Sequence, residues 1–201
     1  PGCTHGIVHR LVAESIEELG LQDKCIGIAP VGCAVFAYDY FNCDMQEAAH
    51  GRAPAVATGI KRCLPDSTII FINNSIYGMT GGQMAPTTLI GQKATTCQNG
   101  RDPKVNGYPI RVCELLATLD APYYIERVST HDVKHVLAAK KAIKKALKFQ
   151  SEGRGYTFIE VLVSCPTNWH MRPVEALRFM GEECTKTFPL GVYRDKSEGK
   201  E

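Results

Sequence analysis

The chain has no apolar run that approaches the roughly 20 residues needed to cross a bilayer. Its best candidate, residues 158–165, is short and interrupted by Glu160. No secretory signal is visible either, because Pro1 to His5 carry no basic n-region and no apolar stretch. An initiator Met is also missing, so at least one residue is expected ahead of Pro1. There is no G-x-G-x-x-G after a strand and no Walker A lysine loop, which removes the common nucleotide fingerprints. Repeats and low-complexity segments are absent. No sign of charge dominates: 23 Lys+Arg against 21 Asp+Glu leave a net charge of +2. Such a molecule is not an electrostatic trap for nucleic acid or acidic membranes, and neither is expected as a partner.

What remains is average globular material: 201 residues, 44% hydrophobic and 22% charged. That is one domain, residues 1–201, able to bury a core without staples. Cysteine is the exception, with nine. An odd number cannot pair fully, and the chain is long for a disulfide scaffold. Two readings stay open: a reduced cytosolic protein with buried thiols, or one in which some thiols hold a metal or cluster.

Apolar spacing predicts a helix over 5–19, stopped by Gly20. Residues 25–33 read as a short strand running into a Gly-Cys turn, and 48–62 as helical in its second half. Strands are expected over 68–72, 123–128 and 157–163. A helix over 132–149 would turn Val133, Val136, Leu137, Ile143 and Leu147 inward. Its lysines 140, 141, 144, 145 and 148 form a solvated face or a docking patch for an acidic electron carrier. The glycine-rich stretch 78–107 is functional or flexible at that length. The tail after Leu190 reads as peripheral. Strands alternating with helices predict an α/β domain with a mainly parallel sheet flanked by helices. Ligands bind beyond the carboxyl ends of such strands. Val31-Gly32-Cys33, Asn73-Asn74 and Ser164-Cys165-Pro166 fall there.

The stretch Asn73-Asn74-Ser75-Ile76-Tyr77-Gly78-Met79-Thr80-Gly81-Gly82-Gln83 ends an apolar strand in two carboxamides and enters a glycine turn. Amide and carbonyl oxygens suit Mg²⁺, and backbone N–H groups of such a turn can nest an anion. The residues alone admit either a Mg²⁺–diphosphate cradle or a turn without ligand.

The block NNSIYGMTGGQMAPTT (73–88) resembles the second half of the thiamine diphosphate motif in beta subunits of 2-oxoacid:ferredoxin oxidoreductases. PGCTHG at the start, HGRAPAVATGIK (50–61) and SCPTNW (164–169) resemble further blocks of that family, in order. The resemblance is closest to the 2-oxoisovalerate and 2-oxoglutarate types. It implies the thiamine diphosphate-binding fold and CoA-dependent oxidative decarboxylation of a 2-oxo acid, with electrons passed to ferredoxin. By position it implies that Asn74 and the Ile76 carbonyl bind Mg²⁺. Gly78, Met79 and Thr80 would lie against the diphosphate, while His50, Gly51 and Arg52 approach the cofactor. Gly32 and Cys33 would sit near the aminopyrimidine, and His5 near cofactor or cluster. Cys3, Cys33 and Cys165 would bind a 4Fe-4S cluster, the fourth ligand preceding Pro1. Cys43 is the competitor for Cys33. The activating carboxylate is expected on the alpha subunit, so no catalytic residue is assigned here. Partners implied are that alpha subunit, gamma or ferredoxin-like subunits and ferredoxin, in the cytoplasm.

One departure is large. In the family a Gly-Asp-Gly-Asp motif and a helix intervene where this chain passes from Phe71 to Ile72. The expectation is that the protein carries this segment and the 201 residues leave it out. A wide Cα separation there would mark the omission, and about 3.8 Å a peptide bond. Two other readings stand: a cluster-free thiamine-dependent decarboxylase or carboligase, and a zinc-stabilised binding module.

Overall fold

In the computed structural model of the chain, residues 2–49, 51–63 and 68–199 are described, apart from the side chains of Lys61 and Cys63. The chain opens with α1 (His5–Glu18), followed by the strand pair β1 (Ile26–Pro30) and β2 (Asp44–Ala48), then α2 (Ala53–Cys63). β3 (Thr68–Asn73) leads into the short hairpin β4 (Ile76–Tyr77) and β5 (Gln83–Met84). After α3 (Pro103–Asn106) and α4 (Val112–Ala117) come β6 (Tyr124–Ser129), α5 (Val133–Ser151) and β7 (Thr157–Leu162). α6 (Pro166–Trp169), α7 (Pro173–Phe179) with a π-helical continuation (Met180–Cys184), and β8 (Gly191–Asp195) complete the order.

The central sheet has the order β3-β7-β6-β8. Its first three strands are parallel, and β8 closes the edge antiparallel to β6. β7 is buried along its whole length, as expected of a strand covered on both faces. On one face α1 and α5 pack Val8, Leu11, Ile143 and Leu147 against Ile159 and Val161. On the other, Cys113 of α4 meets Ile125 and Phe158, and Leu162 meets Trp169 and Met180. β1 and β2 form a separate parallel pair.

Two expectations change, and two stretches take a form the sequence did not specify. Val133 and Leu137 are exposed, at 77% and 57%. The buried stripe of α5 is Ala139, Ala142, Ile143, Ala146 and Leu147, whose small residues let α1 approach. Leu137 lies about 120° around the helix from Ile143. The tail is not peripheral: β8 pairs with β6 and carries Asp195, which is 1% exposed and bound to Lys145 at 2.5 Å. β2 is a strand that its polar sequence did not announce. Apart from β5 and α3, the stretch 78–107 is coil pinned by one side chain. Arg101, buried, donates to the carbonyls of Ala85, Pro86, Thr88, Asn106, Gly107 and Tyr108 at 2.8–3.3 Å.

The lysine face of α5 is largely tied down. Lys140 bridges Glu14 and Glu18 of α1, and Lys144 also reaches Glu18, each at 2.7 Å. Lys148 pairs with Glu152 within its own helix end. These pairs support a solvated, helix-clamping face over a docking patch. Phe71 and Ile72 are neighbours in an unbroken β3, paired in continuous register with Glu160 and Val161. No wide Cα separation occurs there.

Candidate functional site

The carboxyl ends of β3, β6 and β7 lie together because the three strands are parallel. The N-terminal segment is stitched across them. Thr4 Oγ1 accepts from Ser164 N at 3.0 Å and from Thr130 Oγ1 at 2.8 Å, and Ser164 Oγ donates to Gly2 O at 2.9 Å. This brings Cys3 to the end of β7, where Cys165 is buried. β1 and β2 are also parallel, so Gly32-Cys33 and the turn before α2 leave from the same end, and Val31 N donates to Ala48 O at 2.9 Å.

Gly78 is the junction. A Cβ there would stand 3.2 Å from Cys165 Sγ, 3.5 Å from Cys33 Sγ and 3.2 Å from Asn168 Nδ2. Asn168 Nδ2 donates to Gly78 O at 3.1 Å and lies 3.4 Å from Cys165 Sγ. At Gly82, whose φ is +76°, a Cβ would meet Asn168 Oδ1 at 2.8 Å, so both the conformation and the space call for glycine. One amide thus holds the glycine turn onto the thiol. Burial raises the pKa of the Cys33 thiol, opposed by the Met79 backbone N–H and reinforced by Cys165 and Cys3. Burial likewise raises Cys3, with His5 opposing, and Cys3 Sγ lies 3.1 Å from His5 Nδ1. His5 is pushed down to about 4 by burial and by His9, so its imidazole is neutral at pH 7.

Asn74 belongs to the same turn. Its Oδ1 accepts from Ile76 N at 3.2 Å, and its carbonyl accepts from the only tryptophan, Trp169 Nε1, at 3.1 Å. Asn73 points the other way, into the core. Its Nδ2 donates to Glu160 Oε1 at 2.7 Å, and its Oδ1 accepts from Ser75 N at 3.0 Å. Glu160 and Arg127 face each other in register on β7 and β6, fully buried, at 2.8 Å. Arg127 also binds Glu114 at 2.5 Å and Pro189 O at 3.1 Å. Burial alone would lower the Arg127 pKa; the Glu114 hydrogen bond and the Glu160 charge outweigh it and raise it.

The predicted residues sort clearly. Cys3, Cys33, Cys165, Asn74, Ile76, Gly78 and Met79 belong to one region. Thr80 is an exposed neighbour bound to Gln83 at 2.7 Å. Gly51 and Arg52 follow the end of β2 and are exposed; His50 lies outside the described residues. Cys43 sits apart, against Met45 Sδ at 3.8 Å and beside Cys25, whose thiol burial and Cys43 push up to about 11. Cys33 lies with Cys165 beside Gly78, and Cys43 does not. Asn168, Asn73, Thr4, Thr130 and Ser164 had no assigned role. Asn168 lay within a quoted block; the hydroxyl stitch joins residues 126 and 160 positions apart, beyond any local pattern.

The donor chemistry distinguishes the groups the site could hold. The three thiols do not all lie within 4.8 Å of one another, since among the described residues only His131, Asp132 and His135 form such a group. A tetrahedral zinc with Zn–S of about 2.3 Å needs sulfurs about 3.8 Å apart. The three thiols as placed are thus too far apart for one tetrahedral zinc, and an iron–sulfur cluster, which takes four thiolates, would find three candidate donors here. The His131-Asp132-His135 group caps α5, Asp132 Oδ1 accepting from His135 N at 2.8 Å. For Mg²⁺, Asn74 and Ile76 supply neutral oxygens but no carboxylate.

Residues 64–161 match the family described as thiamine pyrophosphate enzyme, C-terminal TPP binding domain. The ketoisovalerate oxidoreductase subunit VorA of Methanothermobacter thermautotrophicus is 48% identical over 98% of this chain and 47% of its own length. The 2-oxoglutarate synthase subunit KorB of Methanocaldococcus jannaschii is 32% identical over 98% of this chain and 80% of its own. The chain thus spans about half the length of its VorA relatives. A solved 2-oxoglutarate:ferredoxin oxidoreductase from Magnetococcus marinus, with 2-oxoglutarate, coenzyme A and succinyl-CoA bound, superposes with a TM-score of 0.74. It is 21% identical, covering 97% of this chain and 80% of that one, and so speaks for the fold. No helix among the described residues is long and apolar enough to cross a membrane. From the fold, the domain match and these relatives, the chain belongs to the thiamine diphosphate-binding beta-subunit family of the 2-oxoacid:ferredoxin oxidoreductases.

Proposed function

We propose that this chain holds thiamine diphosphate with Mg²⁺ and a 4Fe-4S cluster side by side, as the beta subunit of a cytoplasmic enzyme that oxidatively decarboxylates a 2-oxo acid onto coenzyme A. The observation that carries this reading is Gly78, where an added Cβ would stand 3.2 Å from Cys165 Sγ and 3.5 Å from Cys33 Sγ, so that the turn after Asn74 packs against both thiols. When bound, thiamine diphosphate supplies the electron sink for decarboxylation, and the cluster accepts electrons for ferredoxin. The chain's own part is positioning. Asn74 Oδ1 and the Ile76 carbonyl would grip the metal, residues 78–80 would lie against the diphosphate, and Asn168 clamps the turn to the cluster side.

These 201 residues join Phe71 directly to Ile72 within β3, and we propose that the protein carries at that junction a further segment holding the carboxylate missing from the metal site. The size of such a segment agrees with alignment length: the Methanothermobacter marburgensis VorA alignment runs over 229 positions and takes in this whole 201-residue chain, so about 28 positions of that relative meet no residue here. Intact mass of the purified subunit checks it; a mass of 22.1 kDa would refute the segment.

The site is completed by an alpha subunit, and the substrate is a branched-chain 2-oxo acid or 2-oxoglutarate, the choice to which the VorA and KorB relatives point. The test is the anaerobically purified assembled enzyme, assayed for iron, sulfide and thiamine diphosphate, then for ferredoxin reduction with coenzyme A and a panel of 2-oxo acids. Thiamine diphosphate without iron would favour a cluster-free carboligase; neither group would end the reading.

A further inference from the structure

Glu160 sits in the central strand, fully buried, with a charge that a hydrophobic residue of similar size would spare. Its partner Arg127 satisfies only one of its oxygens, Oε2. The other, Oε1, accepts from Asn73 Nδ2 at 2.7 Å. An ionised carboxylate only accepts hydrogen bonds, so it admits one orientation of the Asn73 amide: nitrogen toward Glu160, oxygen away. That oxygen then takes the Ser75 backbone N–H at 3.0 Å, closing an Asx-turn. Ser75 is held at φ +59°, a left-handed conformation uncommon for any residue but glycine. Thr88 Oγ1 secures the far side, donating to Ser75 O at 2.6 Å. Ser75 stands between Asn74 and Ile76, the two oxygen donors of the proposed metal site.

We propose that Glu160 is a positioning residue: by orienting the Asn73 amide it imposes the left-handed Ser75 turn that aims Asn74 Oδ1 and the Ile76 carbonyl at the cofactor's metal. This rests on the thiamine diphosphate reading above. A carboxylate remote from the ligand thereby sets the ligand geometry through one amide and one backbone N–H. Glutamine at 160 would present either an oxygen or an NH₂ to Asn73, so the amide could flip and release Ser75.

The experiment uses the assembled enzyme stripped of thiamine diphosphate. Isothermal titration gives the affinity for the cofactor across a Mg²⁺ series; iron content and the cofactor-free thermal midpoint are measured alongside. Glu160→Gln and Asn73→Ala are each expected to weaken Mg²⁺-dependent cofactor binding about tenfold or more, with iron unchanged. Adding Ser75→Gly to Asn73→Ala should recover most of that loss, because glycine adopts a positive φ without the Asx-turn. A purely structural role predicts a lower thermal midpoint and no recovery by glycine. That outcome overturns the inference, as does parent-like cofactor affinity in Glu160→Gln. If the parent enzyme itself binds no thiamine diphosphate, the functional reading falls, and this inference with it.

Discussion

Gly78 concentrates the chemistry of the site in one missing methyl group. Its backbone is not in the left-handed set, so alanine there is a steric test alone. A Cβ 3.2 Å from Cys165 Sγ must push back the thiol or the turn. Gly78→Ala is expected to lower cluster iron by at least half while circular dichroism stays unchanged; full iron would show the thiol pocket to be roomier than this contact implies. The two candidate thiols separate the same way. Cys33→Ser should lose iron under anaerobic purification, and Cys43→Ser should keep it, since Cys43 faces Met45. His5 gives a pH signature. Its folded pKa of about 4 lies below the ordinary 6.5, so the unfolded chain binds the extra proton between those values. Stability should therefore fall as pH drops from about 6.5 toward 4, and thermal melts of His5→Gln should show a flatter profile over that window.

At the scale of elements, β8 is the clearest correction. A charged tail gives no apolar alternation, and Asp195 reads as a surface residue. The strand forms because β6 offers an open edge and Lys145 of α5 meets Asp195 there. Asp195 also accepts from Ser197 N at 3.0 Å. Asp195→Ala is expected to cost about 2 kcal/mol, the scale of lost hydrogen bonds to a charged group; urea melts finding under about 0.5 kcal/mol would return the tail to the periphery. α1, β3, β6, α5 and β7 were legible because a 3.6-residue stripe or a β-branched run announces each. The inward side of α5 was misjudged because its contact with α1 uses alanines, which carry little hydrophobic signal. Cys3, Cys33, Cys165 and Asn74 were legible as blocks of a family. Asn168 and the Asn73–Glu160 link were not, since they depend on which strands become neighbours.

For the molecule as a whole, the pairing of Lys140 and Lys144 with α1 removes them as free charges for a carrier. Lys140→Ala with Lys144→Ala should leave the rate of ferredoxin reduction within twofold across a salt series; a steep loss at low salt would restore the docking patch. The proposed reaction centre draws thiols from residues 3, 33 and 165, near both ends of the sequence and the first strand pair.

The hydroxyl stitch that carries Cys3 has a consequence for biogenesis. Thr4 binds Thr130 and Ser164, which follow β6 and β7, and Cys165 lies in the last quarter of the sequence, so a ribosome-bound chain still missing that quarter offers only two of the three candidate thiols. On the proposed reading, a cluster would be loaded late, onto a sheet that has already closed its interior.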